Sequence, residues 1–145
     1  ERGIPFAEFH RLPGSTPELD TNLRPDELIV SIDLPPSPFA AHSNYLKVRD
    51  RASYEFALVS VAAALELNGG IIRSARIALG GVAHKPWRAE AAERSLIGNK
   101  PTLEIFEAAG REAVAGPRPL RENAFKVELA RRAVARALAN AGGLE

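Results

Sequence analysis

The chain has 145 residues, 46% hydrophobic and 26% charged, the balance of a globular protein long enough to bury one core. A formal net charge of +1 gives no global field to attract nucleic acid or anionic lipid, so any basic function must be local. With no cysteine, the sequence contains no disulfide, thiolate metal site, iron–sulfur ligation or cysteine nucleophile, and no stretch approaches the roughly 18 apolar residues of a membrane helix. There is no methionine, and the first residues, Glu1-Arg2-Gly3-Ile4, lack the layout of a signal peptide. The sequence therefore reads as a piece of a longer chain, and the lack of a targeting segment says nothing about compartment.

Residues 1 to about 36 read as extended pieces separated by turns, with Pro13-Gly14-Ser15-Thr16-Pro17 a clear break. Over residues 26–34, Leu28, Val30, Ile32 and Leu34 alternate with Ile29, Ser31 and Asp33, the two-residue period of a strand with one strongly apolar face. Pro35-Pro36-Ser37-Pro38 cannot continue a central strand, because proline has no N–H to give to a ladder. That run is the expected domain boundary, with residues 1–36 ending one domain and 37–145 forming another. Beyond it, residues 45–51 place Tyr45, Lys47, Arg49 and Arg51 at every second position with Leu46 and Val48 between them. On a strand these would separate into a polar face and an aliphatic one. Edge strands often carry Lys and Arg for solubility alone, so the row by itself is a weak signal of a site.

Residues 57–67 are rich in alanine, yet every odd position is apolar while the even ones include Ser60 and Glu66. That period, running into Asn68-Gly69-Gly70, predicts a strand and a hairpin turn rather than a helix. Residues 71–79 make the returning strand, which stops at Gly80-Gly81. Helices follow. Pro86 suits a first helical position, residues 87–97 contain no breaker, and Gly98 suits the residue just past the end. Thr102 is placed to cap a second helix with Leu103, Phe106, Ala109 and Ala113 on one side. Asn123 is placed to cap a third, whose stripe of Leu129, Ala130, Ala133, Val134, Ala137 and Leu138 lies opposite Glu128, Arg131, Arg132 and Arg136. Strands followed by helices, without alternation, predict an α+β domain: a small three-stranded antiparallel sheet packed against three helices, preceded by the extended pieces of residues 1–36. Leu144-Glu145 after Gly142-Gly143 reads either as a vector scar or as a natural terminus.

Little in the sequence carries chemistry outright. His10, His42 and His84 have no metal-ligand spacing, no serine sits in a GxSxG elbow, and Gly80-Gly81 belongs to neither phosphate-loop pattern. The arginines of the last helix are interrupted by Glu128 and have no aromatic residue for stacking, which argues against nucleic acid. Arg51 is close enough in sequence to Glu55 and Asp50 to pair with either, a reading preferred over a role in binding.

Five stretches in order resemble the C-terminal part of the FAD-binding middle subunit of molybdenum hydroxylases, the group of xanthine dehydrogenase, carbon monoxide dehydrogenase and aldehyde oxidoreductase. They are residues 23–29 with Leu34-Pro35; Lys47 with residues 51–57 and 59–63; residues 77–83; Pro86-Trp87-Arg88-Ala89 with Ala92-Glu93; and residues 123–129. The fourth and fifth are most similar to the aldehyde oxidoreductase branch.

The resemblance implies that residues 1–36 finish an upstream FAD-binding domain and that residues 37–145 are the family's C-terminal domain. FAD would belong to the full-length subunit, and the glycine-rich segments that hold most of it are absent from these residues. The molybdenum cofactor and iron–sulfur clusters would belong to partner subunits, with neither nucleic acid nor membrane involved. Electrons would pass from the iron–sulfur subunit to FAD and on to an external acceptor, the isolated chain being inactive. Ile29 matches a residue that packs near the flavin. Lys47 matches a lysine that reaches toward the isoalloxazine, where a cation near the pyrimidine end would favour the reduced, anionic ring. Compartment stays open between cytoplasm and periplasm. The alternative is a free-standing interaction module with no cofactor.

Overall fold

The computed structural model describes residues 1–144, and Glu145 lies outside the described residues. Strands β1 (Ser43–Val48), β2 (Val59–Asn68), β3 (Ile71–Gly80) and β4 (Trp87–Arg88) form one antiparallel sheet in that order. The helices are α1 (Phe6–Phe9), α2 (Glu90–Leu96), α3 (Leu103–Ala113) and α4 (Phe125–Ala141). The α+β class and the run of strands before helices agree with the periodicity. The finer expectation of three strands and three helices is exceeded by one short strand and one single-turn helix.

The β2–β3 hairpin follows from local chemistry. Asn68 pairs with Ile71, so Gly69-Gly70 is the whole loop, and both glycines have positive φ, 58° and 76°, as a type I′ turn requires. Leu65, Ala63, Val61 and Val59 of β2 face the helices with Leu79, Ile77, Ala75 and Ile72 of β3, and all of them are buried. Only one side of the sheet is covered in this way. There α4 lies against β2 and β1 through Ala130, Ala133, Val134, Ala137 and Leu138, while α3 adds Phe106 and Ala109, and α2 adds Ala92 and Leu96. Complete burial of each larger aliphatic or aromatic side chain stabilises the fold by about 1.5–3 kcal/mol. In α4, Leu129 is only half-buried, at the edge of its expected stripe, and Leu103 of α3 is exposed.

Two helix starts differ from expectation. Trp87 and Arg88 pair with Leu79 and Ala78 as β4 instead of opening a helix. The reason is the exposed edge of β3. The Ile77 carbonyl accepts from Ala89 N–H, and where the chain then leaves the sheet the Glu93 carboxylate replaces it, accepting from Ile77 N–H at 2.8 Å. At α4, Asn123 is not the cap. Its side chain turns back to accept from Leu120 N–H at 2.6 Å, and the helix begins at Phe125. Thr102 does cap α3, accepting from Ile105 N–H.

Residues 26–34 are not a strand. They belong to no ladder, and Leu28, Val30, Ile32 and Leu34 are exposed. Alternation prepares a strand, but a ladder partner makes one, and no described segment lies alongside. The whole segment before Val59 contributes no buried residue. Its first part, residues 1–36, is organised locally, by an Arg2–Glu27 pair at 2.6 Å and an isolated bridge between His10 and Thr21. At the other end, Leu144 packs against the core.

The α3–α4 crossing is unusually close at Gly110, where an added Cβ would stand 2.6 Å from the Arg131 carbonyl oxygen. Gly110→Ala therefore sets two effects against each other: a gain of about 1 kcal/mol in helix propensity and a larger loss of roughly 1–3 kcal/mol as the helices are pushed apart. Net destabilisation is expected in urea denaturation, and a net gain would mean that the crossing is looser than this geometry.

Candidate functional site on the open face of the sheet

Because side chains alternate along a strand, the face turned away from the helices is built from the other residues of the same strands. In β1, Asn44, Leu46 and Val48 are half-buried toward the helices, whereas Ser43, Tyr45 and Lys47 lie on the open side and are exposed. β1 ends at Val48, so Arg49 and Arg51 fall beyond the strand and the expected row of four shrinks to Tyr45 and Lys47. Arg51 turns to its own loop instead, pairing with Glu55 at 2.9 Å and donating to the Tyr54 carbonyl at 2.8 Å. That is the structural pairing the sequence favoured.

The register carries the open face across the sheet. One row runs Lys47–Ser60–Gly80, the next Tyr45–Ala62–Ala78–Arg88, and the third Ser43–Ala64–Arg76. The middle of the face is thus a floor of side chains no larger than Cβ or a hydroxymethyl, with Tyr45 on one rim and two arginines on the other. A shallow recess of about 390 Å³ lies there, lined by Tyr45, Ala62, Ala64, Ala78, Arg76 and Arg88.

The rim arginines are held in place. Arg88 donates from Nε and Nη2 to the two carboxylate oxygens of Glu93, at 2.9 and 2.8 Å. Glu93 is the one charged residue among the buried ones, at 7% exposure, and hydrogen bonding to its carboxylate raises the Arg88 pKa further. Arg76 donates from Nη1 to the Ala75 carbonyl, and its guanidinium carbon stands 5.3 Å from the Phe39 ring centroid. Lys47 takes part in none of the ion pairs among the described residues.

Elsewhere, several cations are neutralised on wet surfaces. Glu128 accepts from both Arg131 and Arg132, and these hydrogen bonds lower its pKa from 4.5 to about 2. Hydrogen bonding to Arg2 does the same to Glu27. Among the described residues no group of three or more His, Cys, Asp or Glu is arranged to hold a metal ion, and no helix is long and apolar enough to cross a membrane. His42 is placed structurally, its Nδ1 lying 3.3 Å from the Ala141 carbonyl oxygen at the end of α4.

Residues 44–141 match the family described as the CO dehydrogenase flavoprotein C-terminal domain. The chain belongs to that family. It is 48% identical over 140 residues to the aldehyde oxidoreductase FAD-binding subunit PaoB of Escherichia coli K12, covering 97% of this chain and 41% of that protein. It is 37% identical over 99 residues to the glyceraldehyde dehydrogenase medium chain of Sulfolobus acidocaldarius, covering 68% of this chain and 33% of that protein. A carbon monoxide dehydrogenase structure from Hydrogenophaga pseudoflava superposes with a TM-score of 0.63 at 34% identity, over 72% of this chain and 38% of the other. The chain thus spans about two-fifths or less of the relatives it matches. As a flavoprotein C-terminal domain, it has Lys47 and all of the open face but Ser43 inside the matched region, and Ile29 outside it.

The two site residues expected from the sequence are not brought together by the fold. Lys47 stands on the sheet, while Ile29 sits exposed in the unpaired segment, and neither lines the recess. Sequence reasoning missed the Arg88–Glu93 strut because a five-residue spacing fits neither a helix face nor a strand face. It passed over Ser60 and Gly80 because their pairing becomes visible only through the register.

Glu93→Ala should leave Ile77 N–H and the Arg88 guanidinium without their acceptor. The expected loss is roughly 2–3 kcal/mol in chemical denaturation, mainly from the buried N–H, with Glu93→Gln losing less because its amide oxygen can still accept from Ile77. Equal stability of Glu93→Ala and the parent chain would show that β4 is held by its ladder alone.

Proposed function

We propose that this chain forms one wall of the flavin cavity in the FAD-binding subunit of a molybdenum-containing hydroxylase or dehydrogenase of the aldehyde oxidoreductase type. Family membership favours this reading over a free-standing interaction module. The observation that carries it is the open sheet face, where Lys47 has no carboxylate partner beside a floor of small residues. The residues present fit a flat ring: Ala62, Ala64 and Ala78 end at Cβ, and Gly80 has none.

In this reading residues 1–36 complete an upstream FAD-binding domain, residues 37–145 form the C-terminal domain, and the helical side or the chain's edges meet the molybdenum and iron–sulfur subunits. FAD, when bound, supplies the two-electron chemistry that links the iron–sulfur subunit to an external acceptor. The chain's own part is positional and electrostatic. Ile29 provides apolar contact near the ring, and the Lys47 ammonium stabilises negative charge that develops beside it.

Lys47→Met in the intact flavin subunit keeps the aliphatic stem and removes the charge. At several ångströms and an effective dielectric near 20, one charge is worth roughly 1–3 kcal/mol, so the two-electron potential should fall by tens of millivolts. Fold stability should hardly change, since Lys47 is exposed and unpaired. A redox titration that gives the same potential for mutant and parent, at full flavin occupancy, would remove Lys47 from the cavity.

The 145-residue chain by itself is expected to hold no FAD, because it contains none of the glycine-rich phosphate-binding patterns. Stoichiometric flavin absorbance surviving gel filtration would overturn the view that it supplies only one wall.

A further inference from the structure

We propose that Ser60 is a further cofactor-positioning residue: its hydroxyl, directed into the gap left by Gly80, and the Lys47 ammonium on the next strand together hold the polar acceptor edge of the flavin's pyrimidine ring. The proposal rests on the flavin reading above and adds to it a residue and a hydrogen bond.

Three observations converge. Ser60 is 8% exposed, one of two buried polar or charged residues among the described residues. The other, Glu93, has both carboxylate oxygens engaged with Arg88 and Ile77, whereas the Ser60 hydroxyl belongs to no hydrogen bond among the described residues. A polar group so nearly buried is normally paired, because it has given up most of its water. It is absent from the fully enclosed unpartnered atoms, so the oxygen keeps a narrow opening to the outside. That opening is on the uncovered face, since Val59 and Val61 on either side point into the core.

Gly80 supplies the second observation. A Cβ there would stand 2.5 Å from Ser60 Oγ, so the hydroxyl is directed over β3 into the space that any other side chain would fill. Gly80 is not among the positive-φ glycines, so its backbone conformation does not call for glycine. The demand is for room. Its neighbour Gly81 differs, with φ of 75° and a Cβ that would meet the Leu58 carbonyl at 2.9 Å, which is a requirement of the chain itself.

The third observation is the register. Lys47 is the direct neighbour of Ser60 on the side away from Gly80, so a donor-only ammonium and a hydroxyl stand next to each other in one row of the open face. Two neighbouring donors select an acceptor, either a carbonyl oxygen or an unprotonated ring nitrogen. The pyrimidine half of a flavin presents both, and a purely apolar ligand would leave both groups unpaired.

The test uses the full-length flavin subunit with Ser60→Ala, Ser60→Thr and Lys47→Met beside the parent. It reads FAD affinity by fluorescence titration, the flavin carbonyl bands by infrared spectroscopy with isotope-labelled FAD, and melting of the flavin-free protein. Ser60→Ala should bind FAD about tenfold more weakly, about 1.4 kcal/mol, and move a carbonyl band to higher frequency. Ser60→Thr should restore the band. Without flavin, Ser60→Ala should melt at or above the parent, because it removes a nearly buried hydroxyl that has no partner. A lower melting point would reveal a structural partner and overturn the proposal. Unchanged affinity and bands in Ser60→Ala, with the potential still shifted by Lys47→Met, would overturn the Ser60 role and leave the flavin reading standing. If both substitutions are silent, the flavin reading falls and this inference with it.

Discussion

All the long helices of this chain pack on one side of a single sheet, and the rest of the structure depends on that asymmetry. Successive residues of β2 and β3 are thereby given opposite duties: Val59, Val61 and Leu65 fill the core with Ile72, Ile77 and Leu79, while Ser60, Ala62, Ala64, Ala78 and Gly80 are left on a face that nothing in the described chain covers. The helical layer can hold the sheet closely because its contacts are small. Ala130, Ala133 and Ala137 let α4 lie near β2, and Gly110 lets α3 lie near α4. Side chains on the open face are consequently placed by backbone register, which hydrogen bonds fix, rather than by their own packing.

Electrostatics follow the same division. On the helical and loop surfaces, arginines are answered by nearby carboxylates: Arg131 and Arg132 by Glu128, Arg51 by Glu55, Arg2 by Glu27. Exposed pairs of this kind add little stability, but they remove local fields. At the sheet rim the arrangement changes. Glu93 is buried and gives both oxygens to Arg88, so the guanidinium becomes a fixed part of the rim rather than a mobile surface charge. Across the floor from it, Lys47 is left without a carboxylate. A net charge of +1 therefore conceals a face on which basic groups meet a floor that is apolar and flat.

Much of the fold was legible in the sequence because the strongest patterns coincide with the deepest burial. The odd positions of β2, the two glycines of its hairpin, the Thr102 cap and the stripe of α4 all recur in the structure. The parts that were not legible depend on partners distant in sequence. Trp87-Arg88 has no strand pattern of its own and becomes β4 because the edge of β3 offers unpaired groups. Asn123 has a capping side chain that finds the Leu120 N–H first. Of the site, alternation correctly separated Tyr45 and Lys47 from Leu46 and Val48, but it could not show that the strand ends before Arg49, nor which residue of β2 stands beside Lys47.

Residues 28–34 show the same dependence on distant partners. Leu28, Val30, Ile32 and Leu34 have the pattern of a strand with a core to face, and burying four such side chains would contribute about 1.5–3 kcal/mol each. Here they are exposed, and their backbone groups are outside any ladder. The segment does not need the helical core, which is complete from Val59 onward, and the core does not need the segment. An apolar face that its own domain leaves uncovered, followed at once by a proline run that cannot pair, is what a strand belonging to a neighbouring sheet would present. The proposed division at residue 36 rests on that physical independence, and in the proposed flavin reading it would put Ile29 and Lys47 on separate units that each supply a wall of the cavity.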